Sequence, residues 1–169
     1  MPDGVRLTSH PAGEIDLGGR TLENVVIEGD ATVTSPGVLR NVRVTGKLVL
    51  RADDVELHSS EVGSLSLSGT DGALVSGVEV FGHPGSDGIH ITSGTGQVRD
   101  VHLRDVWIHS PRVKGNSHYD GIQVRGVQGL TLERVRIELG PWQKQYNAAL
   151  FLEDANGGNS GVRILDSWL

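Results

Sequence analysis

A short frame of residues recurs along the chain and constrains its fold more than any other feature. It reads LENVVI at 22–27, LRNVRV at 39–44, LHSSEV at 57–62, VSGVEV at 75–80, LRDVWI at 103–108, LERVRI at 132–137 and ILDSWL at 164–169. Asn, Asp and Gly tolerate a left-handed backbone, which allows two short strands to meet at a sharp bend. Five of the seven third positions are of this kind, one is a serine and one an arginine, namely Asn24, Asn41, Ser59, Gly77, Asp105, Arg134 and Asp166. The frame therefore predicts strand, bend, strand.

The bend positions follow one another at intervals of 17, 18, 18, 28, 29 and 32 residues. Self-similarity at a fixed short period is typical of solenoids. Each unit carries one more strand-like segment: KLVL at 47–50, SLSL at 64–67, GIHI at 88–91, GIQV at 121–124 and ALFL at 149–152. We therefore expect an all-β, single-stranded, right-handed parallel β-helix of about seven rungs with three short strands each, the hand following the general preference of crossover connections.

A β-sandwich is the alternative all-β architecture, and its hairpins would require turn dipeptides between strands. Only NGG at 156–158 qualifies. Glycine is abundant, at 24 residues, and aromatic residues are scarce, at 4%. This composition suits a core of small branched side chains in a chain rich in turns. The length predicts one domain spanning 1–169, with an N-terminal lead-in at 1–13, compact rungs at 14–80 and rungs with long loops at 81–169.

Composition also excludes several classes of function. The chain has no cysteine, so disulfides, thiol catalysis and thiolate metal sites are excluded. A net charge of −6 argues against nucleic acid or an anionic membrane as a partner. No apolar run approaches the roughly 20 residues of a membrane span. The N-terminal sequence MPDGVRLTSH lacks the apolar stretch of a signal peptide.

The repeat is interrupted at one corner, where the later units carry insertions. These hold FGHPGSD at 81–87, HSPRVKGNSHYD at 109–120 and ELGPWQKQYN at 138–147. Insertions grouped on one face of a solenoid often mark its binding face. The adjoining strand alternates its faces, and one outward ladder is predicted to run Val49, Ser66, His90, Gln123, Phe151, with a second running Arg51, Ser68, Thr92, Arg125, Glu153.

Polar, basic and aromatic groups concentrate where these ladders meet the insertions, which is the composition of a carbohydrate-binding groove. The candidate carbohydrate-binding residues are His90, His118, Tyr119, Gln123, Arg125, Trp142, Phe151 and Glu153. The alternative interpretation is a solvated strand face on which Arg125 and Glu153 pair across rungs.

Catalysis is left open by the sequence. A glycosidase needs two carboxyl groups, and a lyase needs a base, so Asp87, Asp120, Glu153 and Arg125 are the candidates if the protein is an enzyme. The parity of the strands turns Asp87 and Asp120 inward, where they would act as turn formers. No tight acidic cluster of the calcium-binding kind is evident, so we expect no metal and no cofactor.

The segments HYDGIQVRG, NAALFLED and ILDSWL resemble those of pectate-lyase-like right-handed parallel β-helix proteins, in particular versions from actinobacteria and their phages. The superfamily includes polysaccharide lyases, polygalacturonases and non-enzymatic phage spikes. Only Asn116 to Asp120 resembles the polygalacturonase Asn-Thr-Asp signature, with two extra residues, and the paired aspartates and Gly-His-Gly of that family are missing. The resemblance therefore implies the fold more strongly than an activity.

These observations favour a structural or adhesive β-solenoid of a phage virion or a cell surface, contacting carbohydrate or a protein lattice and having no catalytic role. A polysaccharide lyase or glycoside hydrolase acting on an acidic polysaccharide is the alternative. The apolar C-terminal rung, closed by no charged cap, predicts a homo-oligomer, with a trimer favoured, or a partner docked at that end. A virion or extracellular surface is the expected location.

Overall fold

A computed structural model describes residues 5–169, and these residues form an all-β protein. They contain no helix, and therefore no helix able to span a membrane. Sixteen strands follow one another in this part of the chain: β1 (Thr8–His10), β2 (Gly13–Ile15), β3 (Thr21–Ile27), β4 (Ala31–Val33), β5 (Gly37–Leu50), β6 (Val55–His58), β7 (Glu61–Leu67), β8 (Thr70–Asp71), β9 (Leu74–Val80), β10 (Ile89–Thr92), β11 (Val98–His109), β12 (Tyr119–Arg125), β13 (Val127–Glu133), β14 (Arg136–Glu138), β15 (Tyr146–Glu153) and β16 (Ser160–Leu165).

The strands of the described residues pair in parallel, and the pairings join equivalent positions of successive repeat units. The residues before each bend form a first stack and those after it a second stack. A third stack is formed by β2, β4, the end of β5, β7, β10, β12 and β15. Partners lie 17 or 18 residues apart in the early units, as in Leu22↔Leu39 and Leu39↔Leu57. They lie further apart later, as in Ile91↔Val124, because the insertions intervene.

The core consists of the inward-facing aliphatic residues of the three stacks. In the third stack the register joins Ile15, Val33, Leu50, Leu67, Ile91, Val124 and Leu152 in one column. Every member is buried except Leu152, which is 43% exposed. Because pleated strands alternate their faces, the same register aligns the outward residues into ladders.

Part of the predicted lead-in at 1–13 forms a strand that pairs with the first repeat unit. Its residues 1–4 lie outside the described part of the chain, but β1 lies within it and pairs with β3 through His10↔Ile27. The three insertions form the loops between the second and third stacks, where 82–88, 110–118 and 139–145 contain no strand.

All seven predicted bend positions have a positive φ, between 47° and 67°, which confirms the bend prediction. Arg134, the residue type least suited to a left-handed backbone among the seven, has a φ of 51°. Its guanidinium makes a bidentate contact to Asp105, the bend residue of the preceding unit, with Nε to Oδ1 at 2.6 Å and Nη2 to Oδ2 at 3.0 Å. This contact lowers the pKa of Asp105. The ion pair helps to offset the strain of a left-handed arginine.

Replacing a bend residue is expected to destabilise the protein more than replacing an outward residue of the same unit. Asn41 is 4% exposed and donates from Nδ2 to Asn24 Oδ1 at 2.6 Å. Asn41→Ala loses this bond and places alanine in the left-handed region, so we expect a cost of about 2 kcal/mol. Asp105→Ala should behave similarly. Arg43→Ala removes a surface ion pair with Glu61 and should cost under about 1 kcal/mol. Urea denaturation measures the difference, and equal midpoints would contradict the bend assignment.

Candidate functional site

The candidate site is a cleft of about 380 Å³ between the outward face of the third stack and the loops at 82–88 and 110–118. Strand residues form its floor and loop residues its walls. The lining includes Lys47, Ser64, Ser66, His90 and Gln123 from the strands and Asp87, Ser117 and His118 from the loops. Small-molecule sites commonly occupy clefts of about 300–1,000 Å³, so the cleft has the size of a ligand site.

The floor follows the outward ladder that the sequence predicts. The register pairs Val49↔Ser66, Ser66↔His90, His90↔Gln123 and Gln123↔Phe151, which confirms the ladder. Two polar atoms of the lining are buried without a hydrogen-bond partner, His90 Nε2 and Ser64 Oγ. Buried polar atoms are nearly always satisfied in native proteins, so these two atoms on the cleft floor are available to hydrogen-bond a ligand or water.

The imidazole of His90 is kept neutral by its surroundings. Burial is the largest influence and lowers its pKa below 6.5, because it disfavours the charged form. Lys47 and Arg125 lower it further, whereas the carboxylates of Asp87 and Glu153 act in the opposite direction. At neutral pH His90 therefore offers one donor and one acceptor nitrogen to the cleft.

We expect an NMR titration of His90 to have its midpoint below 6.5. A histidine with a lowered pKa binds its proton more weakly in the folded state than in the unfolded state. The free energy of unfolding contributed by His90 is therefore present above pH 6.5 and is lost as the pH falls towards the folded pKa. His90→Gln should flatten the pH dependence of stability in this window. A midpoint at or above 6.5 would contradict the assignment.

Arg125 and Glu153 pair with each other on the outward face of the third stack. Arg125 Nε is 2.9 Å from Glu153 Oε2, and Gln123 Nε2 donates to the same oxygen at 3.1 Å. The register Arg125↔Glu153 places them on neighbouring strands, as the alternative interpretation expects. Neither residue lines the cleft, but Glu153 accepts the hydrogen bond of Gln123, which does line it.

Tyr119 does not lie where a sugar-binding residue must lie, and that assignment is corrected. Its side chain is 1% exposed and packs 6.0 Å from the ring of Tyr146. Burial raises its pKa well above the usual range, and its hydroxyl has no hydrogen-bond partner. A buried ring cannot stack against a sugar in the cleft. Because the ring is buried, replacing Tyr119 is expected to cost stability.

Trp142 and Phe151 are also outside the described lining of the cleft. Trp142 is 80% exposed on the loop at 139–145, and Phe151 continues the ladder beyond Gln123. Lining residues that the sequence did not identify as binding residues include Lys47, Ser64, Ser66 and Ser117. Ser66 belongs to the predicted ladder, and Lys47 and Ser64 pair with each other two residues earlier, on the same outward face. Extending the alternation of the predicted ladder by two residues towards the N-terminus would have identified Lys47 and Ser64.

Asp87 and Asp120 partly fulfil the expectation that they form turns. Asp87 Oδ1 accepts a hydrogen bond from the Asp120 backbone N–H at 2.9 Å, linking successive units. Asp120 is fully buried, and its Oδ1 accepts from Asn147 Nδ2 at 2.9 Å. Burial raises the pKa of Asp120, the Asn147 bond opposes this, and Asp87 adds to the rise.

The second oxygen of Asp120, Oδ2, has no hydrogen-bond partner and lies 3.8 Å from His118 Nε2. One ligating atom from each of Asp87, His118 and Asp120 falls within 4.8 Å of the others. Asp87 and His118 also line the cleft. The sequence placed these residues on neighbouring units but did not indicate that three side chains converge.

Comparison with known proteins gives no relative from which a function could be transferred: no protein-family model, no curated protein and no solved structure matches the chain.

Proposed function

We propose that the chain is a right-handed parallel β-helix of the pectate-lyase-like kind, built of about seven rungs with three strands each. Parallel pairing between equivalent positions of successive units supports this architecture, as do the left-handed bends. The right hand follows the strong preference of parallel crossover connections.

We further propose that this β-helix is a structural or adhesive module that binds carbohydrate in the cleft. The observation that carries the proposal is the pair of buried, unpartnered polar atoms, His90 Nε2 and Ser64 Oγ, in a cleft of about 380 Å³. Sugar hydroxyls both donate and accept hydrogen bonds, so they suit a lining of imidazole, hydroxyl and amide groups. Lys47 adds a positive charge, which favours a sugar that carries a carboxylate.

A rigid rod with a binding cleft along its side suits a component of a phage virion or of a cell surface. Such a module contacts carbohydrate or a protein lattice through one face and its neighbours through another. The exposed apolar groups of the last units, among them Leu152, Ile164 and Trp168, suit contact with a further protein surface. A homotrimer or a docked partner would cover these groups.

One observation favours the alternative of a polysaccharide lyase or glycoside hydrolase. Asp87 lines the cleft and its carboxyl group lies close to that of Asp120, so two carboxyl groups are near each other, as glycosidases require. An assay for reducing ends or unsaturated products on a panel of acidic polysaccharides distinguishes the two functions. Turnover that disappears in Asp120→Asn would establish the enzyme, and binding without products would establish the adhesive module.

Glycan binding is tested with a double substitution on the cleft floor, His90→Ala with Gln123→Ala. If each side chain contributes about 1 kcal/mol of hydrogen bonding, the double variant should lose about tenfold or more in affinity for glycans that the parent protein retains. His102→Ala is the matched control, because His102 belongs to the first stack and pairs with Glu133 at 3.0 Å.

Glycan-array binding and calorimetry should show the loss in the double variant alone. A parent protein that retains no glycan would remove the proposal. Unchanged affinity in the double variant, or an equal loss in His102→Ala, would also do so.

A further inference from the structure

We propose that Asp87, His118 and Asp120 form a binding site for a divalent transition metal of the Zn²⁺ class at the wall of the cleft. The three side chains come from two loop ends that the parallel register brings together. Asp87 precedes β10, and Asp120 lies in β12, which pairs with β10. Their ligating atoms lie within 4.8 Å of one another.

The buried carboxylate of Asp120 is the strongest sign that a cation belongs here. Its side chain is fully buried, yet Oδ2 has no hydrogen-bond partner and lies 3.8 Å from His118 Nε2. A buried carboxylate oxygen without a partner carries a large desolvation cost. A cation between Asp120, His118 and Asp87 would compensate that cost.

A second buried polar atom lies beside the cluster. The Tyr119 hydroxyl has no hydrogen-bond partner and is close to the backbone of Gly88, the residue after Asp87. A Cβ atom added to Gly88 would lie 2.9 Å from this oxygen. The hydroxyl makes no hydrogen bond to the three ligands, but it adds a buried donor close to the residue after Asp87, and donors of this kind commonly surround metal ligands.

The donor set selects the kind of metal. Two carboxylates and one imidazole suit Zn²⁺ and its neighbours, whereas Ca²⁺ and Mg²⁺ prefer oxygen ligands alone. Zinc binds such atoms at about 2.0–2.2 Å, so the ligands must draw together slightly. His118 is able to do so, since its side chain is 64% exposed on a loop end. Three protein ligands leave one tetrahedral position for a water or for a ligand in the cleft.

The inference does not rest on the proposed glycan binding, because metal binding is measured with no glycan present. Isothermal calorimetry of untagged protein with ZnCl₂ should show one Zn²⁺ per chain, and Zn²⁺ should raise the melting temperature. His118→Ala should weaken binding by about tenfold or more and remove the thermal shift. Asp120→Asn should have the same effect, but only His118→Ala leaves the buried interior untouched.

His58→Ala is the matched control. His58 Nε2 lies 2.6 Å from Glu56 Oε2, so it is also a histidine paired with a carboxylate, but it is not part of the cluster. We expect His58→Ala to bind Zn²⁺ as the parent protein does, and CaCl₂ to give no thermal shift. The proposal is overturned if the parent protein binds no Zn²⁺. Parental affinity in His118→Ala, or an equal loss in His58→Ala, also overturns it.

Discussion

Gly121→Ala is expected to destabilise the protein by about 3 kcal/mol or more. A Cβ atom at position 121 would lie 2.5 Å from the Ala149 carbonyl oxygen and 2.6 Å from Ile137 Cγ2. Both distances are far below van der Waals contact, and the first involves backbone of the adjacent strand. The strands must therefore move apart.

Gly94→Ala is the matched control. A Cβ atom at position 94 would come no closer than 3.4 Å to Thr92 Oγ1, so the added methyl group fits. We expect its stability to stay within about 1 kcal/mol of the parent, because glycine-to-alanine changes at tolerant positions act mainly through the unfolded state. Thermal and urea unfolding measure both variants. Similar losses in the two would contradict the close stacking at position 121.

This packing explains why the sequence repeats Asp-Gly-Ile at 87–89 and 120–122. A Cβ atom on Gly88 would lie 2.6 Å from the Gly121 carbonyl oxygen, so each glycine allows the next unit to approach. The aspartate before each glycine accepts hydrogen bonds at the same corner, and the isoleucine after it enters the core. The repeated segment therefore has a structural role, and the cleft and the candidate metal site are formed by side chains in and next to its two copies.

Leu67→Ala should cost about 3 kcal/mol or more, whereas Leu152→Ala should cost under about 1 kcal/mol. Both leucines belong to the inward column of the third stack. Leu67 is fully buried between Leu50 and Ile91, so its removal leaves a cavity. Leu152 pairs with Val124 on one side and is 43% exposed, so water fills the space left by its side chain.

Chemical denaturation measures the loss of stability for the same substitution in the middle of the column, at Leu67, and at its end, at Leu152. If Leu152→Ala were as destabilising as Leu67→Ala, the last unit would have to be covered in solution, for example by a second copy of the chain. Sedimentation would then show the oligomer, and monomeric protein with equal losses would contradict the core described above.

Much of the scaffold could be predicted because each repeat unit carries the same pattern of alternating apolar residues on either side of a bend residue. For example, the fifth residue of each six-residue frame aligns with the fifth residue of the next, pairing as Val26↔Arg43, Arg43↔Glu61, Glu61↔Glu79, Glu79↔Trp107 and Trp107↔Arg136. Even Arg134, a poor residue for a left-handed bend, adopts one, because six equivalent positions fix the geometry around it.

The candidate site was harder to predict because it depends on what the loops cover. Strand parity places Tyr119 on the outward face, yet β12 is buried on both faces from Tyr119 to Val124. The pairing of β12 with β15 also shifts register between Tyr119 and Asp120, a bulge that alternation cannot reveal. The convergence of His118 on Asp120 depends on the path of a loop, and a repeating pattern carries no information about it.

The most direct test of this account is an engineered disulfide across the cleft floor. The chain has no cysteine, so His90→Cys with Gln123→Cys creates one isolated pair. These positions are 33 residues apart in sequence, but the register pairs them on adjacent strands, about 4.8 Å apart. A disulfide requires Cα atoms within about 4.4–6.8 Å, so mild oxidation should cross-link this pair quantitatively.

His90→Cys with Arg125→Cys is the control, offset by two residues and so about 8 Å apart, beyond disulfide reach. Mass spectrometry of the oxidised, folded proteins should find the cross-link in the first pair and free thiols in the second. No cross-link between 90 and 123, or equal cross-linking of both pairs, would contradict the register on which the cleft and the candidate metal site depend.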